Sequence, residues 1–131
     1  TKNVMSAHRT PHDVMELIKN SEDNGCQVFI AAAGMAAHLA GAVAAHSSKP
    51  VIGIPIESGG MGGIDALLST AMMPPGVPVA TVAVGKSGAK NSAILAVQIL
   101  ATSDEDLSAK LREFKENMRK EVLEKDQKLN S

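Results

Sequence analysis

Three short apolar runs alternate with segments of helical pattern, and this alternation limits the fold more than any other feature of the chain. The runs are residues 26–33, 51–56 and 77–84. Each has strand length and little polar alternation, the pattern of a strand covered on both faces in a parallel sheet. Cys26 opens the first run, where it reads as a small buried apolar residue. Pro11 to about Asn24 reads as a helix, with Val14, Leu17 and Ile18 on one face and Asn24-Gly25 as its stop. Further helices are expected from Ala36 to about His46, from Ile64 to about Met72, and from Ala89 to about Ala101. Thr1 to Met5 resembles the tail of one more strand. Strand alternating with helix predicts an α/β fold with a parallel sheet, and 131 residues suit a single domain.

In folds of this class ligands bind beyond the carboxyl ends of the strands. The unusual residues of this chain fall there: His8 and Arg9, then residues 34–38, then the glycine loop Ser58-Gly59-Gly60-Met61-Gly62-Gly63, then residues 86–91. In Ser6-Ala7-His8-Arg9-Thr10-Pro11, Thr10 suits an N-cap, Pro11 the first helical position, and Asp13 a capping box. A proton-transfer group and a fixed cation thus stand beside the free N–H groups of a helix start, as an anion site with acid/base chemistry requires. The plain alternative is a capped turn with two exposed side chains. Residues 33–41, Ala-Gly-Met-Ala-Ala-His-Leu-Ala-Gly, are small enough to let a ligand approach the backbone at a helix start, with His38 in the first turn. Close helix packing explains the same small residues. The glycine loop reads as a ligand-covering turn or as a connector, and it has neither the Walker nor the dinucleotide spacing.

Composition removes several function classes. A formal net charge of −1 supplies no basic field for nucleic acid. With no Trp or Tyr, and only Phe29 and Phe114 as aromatics, there is little on which to stack bases or a flavin ring. The single Cys26 excludes an internal disulfide and an all-cysteine metal site. No metal-ligand spacing and no nucleophile elbow is present. His12 and His46 read as solvent-facing. No apolar run is long enough to span a bilayer, so a cytoplasmic protein without a membrane partner is expected.

Ser103-Asp104 caps a last helix expected to run to about Lys125, within an arm at 104–128. Leu107, Leu111, Phe114, Met118 and Val122 form one stripe along it, separated by Lys, Arg and Glu. Such a stripe serves equally well against the chain's own sheet or across a neighbouring subunit.

Taken together, the segments 6–11, 33–41, 50–55, 63–69 and 73–82 are not generic. They resemble the N5-carboxyaminoimidazole ribonucleotide mutase family of purine biosynthesis, from Met5 to about Leu100. The resemblance implies a flavodoxin-like, three-layer parallel sheet in a homo-octamer with active sites between subunits. It implies an isomerase that moves a carboxylate from the exocyclic nitrogen to C4 of a small ribonucleotide, with no metal, cofactor or ATP. It makes His8 the proton-transfer residue and assigns Ser6 and Arg9 to the ribonucleotide, Arg9 through its phosphate. Ala33, Gly34, Met35, Ala36, His38 and Leu39 match the segment that wraps the base and carboxylate. Members of the family begin with a strand ending in Gly-Ser-x-Ser-Asp and a helix, which this chain lacks, so an N-terminally incomplete domain is expected. Met35 and Met72 stand where many relatives have Gly and Gln. A carboxylase that takes carbon dioxide directly is the nearest alternative, but Arg9 and His38-Leu39-Ala40-Gly41 fit the mutase better. A non-catalytic assembly module is the alternative of a different class.

Overall fold

The structure, a computed structural model, describes residues Thr1–Ser131 in two compact units, Thr1–Ala96 and Val97–Ser131. The elements of the first unit are α1 (Pro11–Asp23), β1 (Phe29–Gly34), α2 (Leu39–His46), β2 (Val51–Ile56), α3 (Ile64–Ala71), β3 (Ala80–Thr81) and most of α4 (Lys86–Ala101). The strands are parallel in the order β1-β2-β3, so β2 is central. Residue 29 faces 51 and the register runs unbroken to Gly34 opposite Ile56. An α/β chain with a parallel sheet is therefore what the alternation of apolar runs produces.

Strand β2 occupies the bounds that its apolar run predicts, and its first five residues are buried. Gly53 lies at its centre because neighbours crowd it: a Cβ there would meet the methyl of Thr70 on α3, Val79 and Ala40. Val14 and Ile18 of α1, Ala31, Ala40 and Val43 of α2, and Val51 form one core cluster, with Met5, Phe29 and Leu39 packed against it. Fully burying a Val or Ile side chain contributes roughly 1.5–3 kcal/mol, so this cluster fixes α1 and α2 against the sheet.

Several expectations change. Strand β1 starts at Phe29 rather than at residue 26, because Cys26 still belongs to the exit of α1. Its N–H donates to the Ser21 carbonyl at 2.9 Å, and its half-buried thiol lies 3.4 Å from the Val28 carbonyl. Burial on both faces does not hold for β1, where Ile30 is 46% exposed. It is an edge strand, laddered to β2 alone. The run 77–84 yields only two strand residues, because Pro78 has no N–H to give a ladder. Beyond it the contact with β2 continues irregularly, through Val82 N–H to the Gly53 carbonyl at 3.1 Å and Gly85 N–H to the Pro55 carbonyl at 2.9 Å. Residues 1–5 take no part in the sheet: they lack a ladder partner, and only Met5 reaches the core. Helix α4 begins at Lys86, earlier than expected, since the N–H of Ala89 already donates to the Gly85 carbonyl.

In the second unit, the end of α4 turns through residues 102–104 into α5 (Glu105–Asn130). Asp104 is the N-cap, its carboxylate accepting the N–H of Leu107 at 3.0 Å. The helix runs beyond Lys125, and none of its residues is buried. Phe114, Met118 and Val122 of its stripe are exposed, as are Leu123 and Leu129. No helix of the protein is long and apolar enough to cross a membrane.

Candidate active site

The loop of residues 6–10 is closed by its own atoms. The Ser6 carbonyl accepts the Thr10 N–H at 2.8 Å and the Thr10 hydroxyl at 3.0 Å. The Ser6 N–H lies 3.0 Å from the Thr10 hydroxyl oxygen, and the Arg9 N–H donates to the Ser6 hydroxyl oxygen at 3.2 Å. Thr10 is the N-cap residue of α1, but its side chain does not cap, and no capping box with Asp13 forms. The hydroxyl is engaged across the loop instead, while Pro11 supplies the helix start. His8 and Arg9 stand exposed on the loop. Arg9 has no carboxylate within ion-pair distance: the ion pairs of the chain, Arg112–Glu105 and Arg119–Glu116, both lie on α5.

The turn from β1 into α2 is held from outside. Helix α2 begins at Leu39, not at Ala36, because residues 35–38 make a separate turn. Met35 is left-handed, at φ 55°, which is uncommon for a residue other than Gly. The buried Ala37 donates its N–H to the Met35 carbonyl at 2.9 Å and to the Ser69 hydroxyl oxygen of α3, also at 2.9 Å. His38 is thus the N-cap residue, one step before the first helical turn in which its spacing had put it, and its carbonyl accepts the Ala42 N–H. Gly34 is needed for close approach: a Cβ there would run into the Ser58 hydroxyl and lie 3.1 Å from the Ile56 carbonyl. The glycine loop therefore abuts the end of β1, and Met35 packs alongside Gly59.

These two turns bring His8 and His38 together. Their rings stack with centroids 5.2 Å apart and planes 11° from parallel. A cleft of about 200 Å³ opens beside them, lined by Ala7, Pro11, Val14, Met15, Gly41 and Ala42 together with His38 and His46. Imidazole nitrogens can give and take a proton, so this pair of rings, with the unpaired Arg9 next to His8 in the chain, is suited to acid/base work on an anion. Ser6 stands at the base of the His8 loop, and Ala33 and Gly34 at the end of β1 opposite Pro55 and Ile56. Ala36 is exposed at the turn, whereas Leu39 packs into the core. Asp65, in the first turn of α3, does not cap that helix, and its Oδ1 is buried without a partner. Reasoning from sequence names Ser58 only as the start of the glycine loop and gives Ser69 no role of its own. The available signal was a serine inside an apolar helix, where its propensity is poor and another role is worth seeking.

Comparison with known proteins identifies the family. The family model described as AIR carboxylase matches residues 1–121. The N5-carboxyaminoimidazole ribonucleotide mutase of Bacillus subtilis is 50% identical over 128 residues, which are 98% of this chain and 79% of that protein. The enzyme of the same name from Escherichia coli strain K12 is 49% identical over 121 residues, 92% of this chain and 72% of that protein. The one from Saccharolobus solfataricus is 53% identical over 120 residues, 92% of this chain and 75% of that protein. With nearly its whole length matched, the chain belongs to the AIR carboxylase family.

Proposed function

We propose that this chain is an N5-carboxyaminoimidazole ribonucleotide mutase, an isomerase acting in the cytoplasm. The observation that carries the reading is the stacked pair of His8 and His38, beside the unpaired Arg9, in a chain about half identical to mutases of that name. His8 gives a proton to the exocyclic nitrogen as the N–carboxylate bond breaks and carbon dioxide leaves. C4 of the aminoimidazole ring then attacks the carbon dioxide, and His8 takes the proton that C4 loses. One proton is given and one recovered, so the reaction is an isomerisation with no net acid or base. Arg9 holds the ribonucleotide through its phosphate and Ser6 binds the same ligand, while the segment of Ala33, Gly34, Met35, Ala36 and His38 wraps the base and carboxylate, anchored in the core by Leu39. The reaction requires that the carbon dioxide be kept from escaping, which calls for the exposed site to be covered by neighbouring subunits. The homo-octamer rests on the resemblance to the mutase family; the exposed stripe of α5 is an apolar face that a neighbouring subunit would cover.

Turnover of N5-carboxyaminoimidazole ribonucleotide by the purified chain, without ATP or added bicarbonate, tests the reading. Conversion to the C4-carboxylated isomer is the expected result. Conversion only of the uncarboxylated ribonucleotide with carbon dioxide would assign the chain to the carboxylase reaction instead.

A further inference from the structure

Ser69 lies inside α3, outside the segments that carry the histidines, yet it is the atom-level link between α3 and the β1–α2 turn. A serine within a helix ordinarily bonds the carbonyl four residues back. Ser69 does so, with its oxygen 2.6 Å from the Asp65 carbonyl. That bond takes the single proton of the hydroxyl, which leaves its lone pairs free. One of them receives the N–H of Ala37, 2.9 Å away and 32 positions earlier in the chain. The same oxygen sits 3.2 Å from the carbonyl of Met35, the left-handed residue of the turn. A non-glycine residue in that conformation persists only where its surroundings over-determine it. Ser69 supplies part of that support through the N–H of Ala37, which also donates to the Met35 carbonyl.

We infer that Ser69 is a positioning residue, whose hydroxyl holds the 35–38 turn so that His38 meets His8 before any ligand arrives. In its functional half this rests on the mutase reading. Without the hydroxyl the turn loses its only side-chain bond to α3. Part of the binding free energy of the ribonucleotide then goes into ordering the turn. Such a loss affects ground state and transition state alike, so it raises KM and leaves kcat nearly unchanged.

Two variants of this chain decide it, Ser69→Ala and Ser69→Thr, since threonine keeps the hydroxyl on the same helix position. Amide exchange of residues 35–38 is measured on the ligand-free protein, and KM and kcat on N5-carboxyaminoimidazole ribonucleotide. In Ser69→Ala, exchange at the turn and KM should each rise roughly three- to tenfold, the equivalent of one hydrogen bond, with kcat within about twofold. Ser69→Thr should return both towards the parent. Unchanged exchange in Ser69→Ala would overturn the brace itself. Faster exchange with an unchanged KM, or a fall in kcat at constant KM, would overturn the positioning role and leave Ser69 as a structural residue. If the parent does not turn over this substrate, the mutase reading fails and the role in that reaction falls with it, while the exchange result still decides whether Ser69 holds the turn.

Discussion

The two turns that carry His8 and His38 are built in opposite ways. The first closes on itself: every bond of the 6–10 loop spans three or four residues, from Ser6 to Arg9 and Thr10. The second depends on residues far along the chain, with Ala37 bound to Ser69 and Gly34 set against Ser58. A self-closed loop carries its geometry in a few adjacent residue types. A braced loop takes its geometry from the packing of the sheet, so damage to α3 or to the glycine loop reaches it. The stacked rings therefore join a locally specified group to a globally specified one, and the two should fail differently.

The largest separation is expected from the side chains on the self-closed loop. His8→Asn should remove about 10²- to 10⁴-fold of turnover, the usual contribution of a positioned acid/base group, with the melting temperature unchanged because His8 is exposed. Turnover equal to the parent would end the assignment of His8 as the proton carrier. Arg9→Ala should act on binding instead. Loss of an unpaired guanidinium from a phosphate site, an interaction of about 1.5–3 kcal/mol, raises KM by roughly ten- to a hundredfold. Titration with the ribonucleotide checks this, and an isotherm like that of the parent would remove Arg9 from the site.

The same contrast explains what can be read without coordinates. Strand β2, the bounds of α1 and the cap at Asp104 are set by neighbouring residues, by an apolar run, a proline start and a side chain reaching three positions ahead. Those features were legible. The start of α2 was not, because Ala36 to His38 have fair helical propensity and are kept out of the helix by Ser69, 32 positions beyond Ala37. The short β3 was legible only in part: Pro78 was visible, but its consequence depends on how β2 lies alongside. Motif reading drew attention to His8 and His38 separately. Only the packing of α1 and α2 on the sheet puts their rings 5.2 Å apart. Ser58 and Ser69 carry no chemistry of their own that a motif would record.

A break in the braced turn should be felt in stability as well as in binding. Gly34→Ala forces a Cβ against Ser58 and within 3.1 Å of the Ile56 carbonyl. Overpacking of this kind costs about 1–3 kcal/mol, so the melting temperature should fall by several degrees and KM should rise with it. Adding Ser58→Gly removes the hydroxyl and its Cβ but not the carbonyl, so the double variant should recover part of the loss. Additive destabilisation of the two changes would show that Ser58 is not what excludes a side chain at 34.

The smallest effect is expected where the self-closed loop loses one of its own ties. Thr10→Val removes both bonds of the hydroxyl, from Ser6 N–H and to the Ser6 carbonyl, each at 3.0 Å, while keeping the side-chain shape. The backbone bond from Thr10 to Ser6 at 2.8 Å and the bond from Arg9 to the Ser6 hydroxyl remain. The loop is half-buried there, so water replaces part of what is lost, and the net cost should be about 1 kcal/mol. Because His8 is the group this loop presents, kcat should fall by roughly two- to fivefold while KM stays within about twofold, the inverse of the pattern expected for Ser69→Ala. Thr10→Ser, which restores the hydroxyl without the methyl, should recover most of it. A rise in KM instead, matching that of Ser69→Ala, would mean that the two turns respond as one unit and that the distinction between a self-closed and a braced loop has no functional consequence.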